Sequence, residues 1–289
     1  MTAPVVVGVD GSASALAAVA WAAREARRRR VPLKLVHAYL VPARGYPEIV
    51  LTGHEVRQAL EDQGRRWLVE AEAAARAAAD VEVEVALEHS GAAGAMVWES
   101  ERARLVVLGS RGLGGFTGLV VGSVAVAVAA HGKCPVVVVR GGDHADGPVV
   151  VGVDGSPASE EAVDFAFEAA SARGVPLKAV HAWTDFLVDG PYGSRLTVDW
   201  AEVEAAEQRL LAERLAGRAE KYPDVVVQRL VVRDRPVRAL LAEAEGAGLL
   251  VVGSRGHGGF TGMLLGSTSQ ALVHHATCPL AVVRPIDGE

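Results

Sequence analysis

Short apolar runs alternate with amphipathic helical patterns from one end of the chain to the other. In the first half, Val5 to Val9 has the composition of a buried strand. Ala13 to Arg30 then places its apolar residues at helical spacing, with Ser12 as the predicted N-cap. The same reasoning predicts, in order, a strand at 33–38, a helix at about 53–79, a strand at 81–87, a helix at 92–102, a strand at 105–108, a helix from about 122 and a strand at 135–139.

Strands that alternate with helices predict right-handed crossovers and a mainly parallel sheet with helices on both faces. The third strand alternates apolar and acidic residues, which is typical of an edge strand. We therefore predict a doubly wound α/β domain with five strands in the order 3-2-1-4-5. In such a sheet the ligand crevice opens at the carboxyl ends of strands 1 and 4, where the winding reverses.

The second half of the chain repeats the first half at a constant offset of 144 residues. The octet VVVGVDGS begins at Val5 and again at Val149, and the related segments GSRGLGGFTG and GSRGHGGFTG begin at Gly109 and Gly253. The loop GGDHADGP between the copies is rich in turn-forming and charged residues. We predict two tandem domains of this α/β class, at residues 1–142 and 147–289.

Each copy has a glycine-rich loop after its fourth strand. In the first copy, Gly109 and Gly112 are followed, after nine further residues, by Gly122 and Ser123 at the start of the next helix. Glycines let backbone amides approach an anion closely, and the first amides of a helix form the positive end of its dipole. This spacing predicts a phosphate site, although glycine and serine before a helix also form an ordinary turn and cap. The second copy repeats the spacing with Gly253, Gly256, Gly266 and Ser267.

Three side chains flank the predicted crevice in each copy, and each has two interpretations. Asp10 ends strand 1, where a carboxylate could accept hydrogen bonds from ribose or help to hold a metal, or could simply form an Asp-Gly turn. Arg111 could place positive charge near phosphates or stay solvated. His37 could lie near a base or belong to the core, as a single histidine in an apolar strand more often does. Their counterparts in the second copy are Asp154, Arg255 and His181.

The composition excludes several classes of function. A net charge of −6 argues against binding to nucleic acid or an anionic membrane. The one basic run, Arg27 to Arg30, ends a predicted helix and is interpreted as a solvated surface that complements the helix dipole rather than as a binding patch. The apolar runs are of strand length, and no secretory signal is recognisable, so we expect a cytoplasmic protein. Cys134 and Cys278 occupy equivalent positions before a proline and are expected to be buried thiols.

Together these motifs resemble the universal stress protein family in its tandem, ATP-binding form. Its ATP-binding members carry Gly-x-x-Gly, nine residues, then Gly-Ser or Gly-Thr, which both copies match. The Asp-Gly-Ser turn and the Cys-Pro strand are also similar. The resemblance implies that ATP binds, with or without magnesium, that Asp10 and Asp154 face the ribose, and that the backbone at Ala38 and Ala182 faces the adenine.

The resemblance also implies a homodimer and an unidentified regulatory protein partner. It supplies no catalytic residue and no resident metal site. The nucleotide-binding residues that it implies are Gly8, Val9, Asp10, Ala38, Gly109, Arg111, Gly112, Gly122, Ser123 and Val124 in the first copy, and Gly152, Val153, Asp154, Ala182, Gly253, Arg255, Gly256, Gly266, Ser267 and Thr268 in the second.

We therefore expect a nucleotide-dependent regulator or sensor of the stress response. One alternative is a slow ATPase or phosphotransferase, although no obvious general base or nucleophile pair accompanies the loop. The other alternative is an interaction module that binds no nucleotide, and the two intact glycine motifs argue against it.

Overall fold

The structure, a computed structural model, describes residues 2–41, 53–113, 121–142, 144–184, 199–257 and 264–285. The chain divides into two compact units, residues 1–140 and 141–289. Strands and helices alternate in each unit, and every described strand pairing within a unit is parallel. The predicted α/β class with two tandem domains is confirmed.

The first unit has the predicted strand order, β3-β2-β1-β4-β5. Its central strand β1 pairs on both sides, so that Val5 lies opposite Leu33 of β2 and Leu105 of β4. The elements are β1 Val5–Gly8, α1 Ala13–Arg29, β2 Leu33–Tyr39, α2 Gly53–Ala78, β3 Val83–His89, α3 Ala92–Ser100, β4 Leu105–Gly109, α4 Ser123–His131 and β5 Val136–Val139.

The central strands form the core of this unit because helices cover them. The β1 residues Val5, Val6 and Val7 are 0% exposed, as is Leu105 of β4. Helix α1 packs beside α2, helix α3 packs beside α4, and both α1 and α3 contact β1 and β4. A central strand buried in this way needs a nearly continuous apolar sequence, which the valine runs supply.

The second unit repeats this arrangement with the strand order β8-β7-β6-β9-β10. Most of its elements begin 144 residues after their counterparts. The elements are β6 Val149–Gly152, α5 Pro157–Arg173, β7 Leu177–Trp183, α6 Trp200–Leu215, α7 Arg218–Lys221, β8 Val227–Arg233, α8 Pro236–Glu243, β9 Leu249–Gly253, α9 Ser267–His275 and β10 Leu280–Val283.

The copies differ where one long helix of the first unit becomes two helices in the second. Helix α2 runs without a break through Ala73, whereas α6 ends before Gly217 and α7 starts after it. Gly217 has a φ of 78°, a left-handed conformation that interrupts an α-helix and that glycine adopts without steric cost.

Each strand of the first unit differs from its predicted bounds by one or two residues, and two of these differences have a clear structural reason. Strand β3 covers Val83–His89 rather than 81–87, because its register with β2 pairs Val83 with Leu33 and continues to His89 opposite Tyr39. Strand β5 begins at Val136 rather than at Pro135, and proline has no amide hydrogen to donate to a ladder.

Both cysteines are buried thiols outside any disulfide, as expected. The sulfur of Cys134 lies 3.4 Å from the carbonyl oxygen of Pro135. Burial raises the pKa of the Cys134 thiol to about 12, so this side chain stays protonated and unreactive at neutral pH. Among the described residues, every helix is either too short or too polar to cross a membrane.

Helix α1 ends in a residue with an unfavourable backbone conformation, so a substitution there is expected to stabilise the protein. Its C-cap, Arg30, has a φ of 54°, the one left-handed non-glycine residue found in the described segments. The equivalent position after α5 is Gly174, with a φ of 66°. A side chain in this conformation costs about 1 kcal/mol, which glycine avoids.

We therefore expect Arg30→Gly to raise the free energy of unfolding of the first unit by about 1 kcal/mol. The converse change, Gly174→Ala, should lower that of the second unit by a similar amount. Guanidinium denaturation of each variant measures the effect. An unchanged or lower midpoint for Arg30→Gly would contradict this interpretation of the cap.

Candidate functional site

The turn after β1 is held by hydrogen bonds from its own residues. Gly11 has a φ of 80°, which lets the chain reverse between Asp10 and Ser12. Asp10 Oδ1 accepts hydrogen bonds from the Ser12 amide at 3.0 Å and from the Ser12 hydroxyl at 2.6 Å. Ser12 Oγ in turn accepts from the Ala15 amide at 3.1 Å, so it caps helix α1 as predicted.

The glycine-rich loop is closed at its base by backbone hydrogen bonds. The Ser110 amide donates to Val139 of β5 at 3.1 Å, which continues the ladder past the end of β4. The Gly122 amide donates to the Ser110 carbonyl at 2.8 Å and brings the two ends of the loop together. In the second unit, Gly266 donates to Ser254 at the same distance.

The structure brings the Asp10 turn and the glycine-rich loop into direct contact. Asp10 Oδ2 accepts a hydrogen bond from the Leu113 amide at 3.1 Å. Ser12 Oγ lies 3.2 Å from the carbonyl oxygen of Arg111, although its single hydrogen points to the closer Asp10 carboxylate. The two motifs are therefore parts of one site at the carboxyl ends of β1 and β4.

The second unit reproduces these contacts. Asp154 Oδ1 accepts from the amide and hydroxyl of Ser156 at 3.0 and 2.7 Å, and Ser156 Oγ lies 3.2 Å from the Arg255 carbonyl. Asp154 Oδ2 accepts from the His257 amide at 3.3 Å. Both arginine side chains, Arg111 and Arg255, are exposed.

The glycines of the motif are present for different structural reasons. A Cβ on Gly109 would lie 2.7 Å from the backbone of Ser14 in α1, and a Cβ on Gly112 would lie 2.5 Å from Asp10 Oδ2. Close packing against the α1 backbone requires a glycine at position 109, and a Cβ at position 112 would displace the Asp10 carboxylate. A Cβ on Gly122 would meet nothing closer than 3.7 Å, which is an ordinary contact distance.

Gly122 also has no conformational need to be a glycine. As the N-cap of α4 it has φ −71° and ψ 145°, and Gly266 before α9 has φ −70° and ψ 159°. Any residue adopts this extended conformation, and serine, threonine or aspartate would cap the helix better. The sequence therefore leaves the first amides of both helices without a side chain above them.

The histidines at the ends of β2 and β7 belong to the core. His37 and His181 are 6% and 9% exposed, and Nδ1 of each lies 2.7 Å from a carbonyl oxygen, of Val9 and Val153 respectively. Because a carbonyl only accepts, Nδ1 carries a hydrogen in both rings. In the second unit, Nε2 of His181 also contacts a carboxylate, that of Glu207 at 2.9 Å.

The remaining predicted residues lie along the same edge of each sheet. Gly8 and Gly152 end the central strands, and the buried residues Val9 and Val153 follow them. Ala38 and Ala182 are half-buried near the ends of the neighbouring strands. Ser123 and Val124 begin α4, and Ser267 and Thr268 begin α9.

Comparison with known protein families gives a match to both halves of the chain. The model of the universal stress protein family matches residues 1–140 and again 147–284. The chain belongs to the universal stress protein family. A universal stress protein of Mycolicibacterium smegmatis is 42% identical over 292 residues, which cover 97% of each chain.

A solved structure agrees with this assignment at the level of the fold. A universal stress protein from Archaeoglobus fulgidus covers 98% of each chain with a TM-score of 0.70 and 19% identity. A second solved structure, a universal stress protein in complex with cAMP, aligns with 48% of this chain and with 97% of its own chain, at 29% identity and a TM-score of 0.39. The cyclic nucleotide is a ligand of that relative.

Sequence reasoning missed the side chain that packs on the turn of each unit. In the first unit the indole of Trp67 contacts Gly11 and meets the His37 ring edge-on, with ring centroids 5.2 Å apart. In the second unit the guanidinium of Arg214 packs on Gly155, since a Cβ added to that glycine would lie 3.2 Å from it. Trp67 and Arg214 are not at equivalent positions, so the repeat contained no signal for them.

The packing of Gly109 leads to a stability prediction. We expect Gly109→Ala to lower the free energy of unfolding of the first unit by about 1–3 kcal/mol, because its Cβ would overlap the α1 backbone. Gly91→Ala, where the added Cβ meets nothing within 4 Å, is the matched control and should change stability little. Equal denaturation midpoints for the two variants would contradict the packing role.

Proposed function

We propose that each unit binds one adenine nucleotide, with its phosphates at the loop between β4 and α4 or between β9 and α9. The proposal rests on Gly122 and Gly266, since neither packing nor backbone conformation requires a glycine there. Leaving out a side chain gives a bulky anion access to the first helix amides, which have no intrahelical partners.

The surroundings of the loop support a phosphate ligand. The exposed side chains of Arg111 and Arg255 can supply positive charge from the loop itself, and the hydroxyls of Ser123 and Ser267 can each donate one hydrogen bond. The backbone at Ala38 and Ala182, near the carboxyl ends of β2 and β7, is then at the side of the crevice where the base would lie.

Magnesium would enter such a site together with the nucleotide. Within the described segments, no three His, Cys, Asp or Glu side chains come close enough to hold a metal ion. Phosphate oxygens would therefore have to supply most of its ligands.

The proposed role is that of a sensor in the stress response, in which nucleotide occupancy controls association with a regulatory partner in the cytoplasm. The geometry favours holding a nucleotide over cleaving it. His37 and His181, near the ends of β2 and β7, are buried and hydrogen-bonded to backbone carbonyls, which makes them poor general bases.

The experiment is a calorimetric titration of ATP into the protein and into the double variant Gly122→Ala/Gly266→Ala. We expect the variant to fold normally and to bind ATP at least about tenfold more weakly, because the methyl groups cover the helix amides. Gly91→Ala is a matched control, since Gly91 is also an N-cap glycine, with φ −67° and ψ 133°.

Two results would contradict the proposal. The first is an unsubstituted protein that binds no ATP and releases no adenine nucleotide on denaturation, as measured by mass spectrometry. The second is a double variant that binds ATP as tightly as the Gly91→Ala control.

We further propose that the protein forms a homodimer through helix α4. This helix has the sequence SVAVAVAAH, and its residues Val124, Val126 and Ala130 are only half-buried. At the position equivalent to Val126, helix α9 has an exposed glutamine, Gln270. An apolar helix surface of this kind favours burial against another chain.

Val126→Glu should therefore dissociate the dimer, whereas Gln270→Glu should leave it intact. Light scattering after size-exclusion chromatography measures the mass of each. A monomeric unsubstituted protein, or a dimer that survives Val126→Glu, would contradict this arrangement.

A further inference from the structure

We propose that Asp10 and Asp154 are positioning residues that hold the start of each phosphate loop, residues 110–113 and 254–257, in its binding conformation before any nucleotide arrives. This inference rests on the proposed function, since it assigns the part that each carboxylate plays at that site. Its basis is the hydrogen bond from Asp10 Oδ2 to the Leu113 amide, at 3.1 Å, between residues 103 positions apart. We call this contact, and its counterpart between Asp154 and the His257 amide at 3.3 Å, the loop latch.

Each carboxylate is held in the orientation that the latch needs. Its other oxygen, Oδ1, accepts from the amide and hydroxyl of the serine two residues later, at 3.0 and 2.6 Å in Asp10. The corresponding distances in Asp154 are 3.0 and 2.7 Å. Since two donors fix Oδ1, Oδ2 points at the loop with little freedom to rotate.

The loop is shaped to receive the carboxylate. A Cβ on Gly112 would lie 2.5 Å from Asp10 Oδ2, and a Cβ on Gly256 would contact Asp154 Oδ2 as closely. The second glycine of the motif is therefore explained by the latch. Without a side chain at this position, the carboxylate can reach the amide of the next residue.

The loop latch is formed in both units, although the residue whose amide donates the hydrogen bond differs. The donor is the backbone of Leu113 in one unit and of His257 in the other. A contact that survives this change of side chain depends on the backbone path of the loop. The amides of residues 110–113 and 254–257 are then held in place before a phosphate arrives, which reduces the entropic cost of binding.

The test uses Asp10→Asn and Asp154→Asn singly in the full-length protein. Asparagine has the same shape, but it cannot accept hydrogen bonds on both sides, because one of its two terminal atoms is a donor. We expect Asp10→Asn to speed amide exchange at Leu113 about tenfold in ligand-free protein while His257 is unchanged, and Asp154→Asn to do the reverse.

Each variant contains its own controls. The unaffected unit is one, and the Val9 amide, which donates to Val36 at 2.8 Å within the core, is a second. Faster exchange at Val9 as well would mean that the variant is globally loosened. In that case Gly112→Ala, whose Cβ displaces Oδ2 directly, must reproduce the selective change at Leu113, or the latch is wrong.

Binding to inorganic tripolyphosphate separates the latch from a contact with ribose. We expect the double variant Asp10→Asn/Asp154→Asn to bind tripolyphosphate and ATP about tenfold more weakly, since both ligands need the ordered loop. Unchanged tripolyphosphate binding with weaker ATP and adenosine binding would overturn the latch and assign the carboxylates to ribose instead. Unchanged amide exchange at Leu113 and His257 would also overturn the latch.

Failure of the unsubstituted protein to bind ATP would overturn the proposed function. The amide-exchange measurements would then decide by themselves whether the latch exists.

Discussion

The parallel pairing of the central strand with both of its neighbours is the constraint on which the site depends. With Val5 opposite Leu105, strands β1 and β4 end at the same edge of the sheet, so segments about a hundred residues apart in sequence emerge side by side. The strands stay in this register because they are fully buried, and a shift by one residue would turn every side chain to the opposite face. The Asp-Gly-Ser turn and the glycine-rich loop meet only as a consequence.

Much of this could be predicted from the sequence. Valine runs and helical periodicity were sufficient for the strand order, and the repeat identified both loops. The contact between Asp10 and Leu113 could not be predicted, because it joins a side chain to a backbone amide whose position depends on the whole loop. The break at Gly217 and the packing of Trp67 were also missed, since each occurs in one unit only and depends on local contacts.

The glycine-rich motif combines requirements that a sequence pattern does not separate. Gly109 is needed because α1 passes close to the end of β4, and Gly112 because a carboxylate lies beside it. Neither explanation applies to Gly122, and this position therefore gives the strongest support to the proposed ligand. Two positions of the motif are therefore explained by packing within the fold, and under the proposed function only the third is explained by a ligand.

The change from Leu113 to His257 between the two units has an evolutionary consequence. When a side chain holds a loop by its backbone, the residue that is held can mutate without loss of the contact. Selection for loop geometry then leaves the exposed side chain at this position open to drift. After the duplication, each half could thus acquire its own surface chemistry at the rim of an otherwise preserved site.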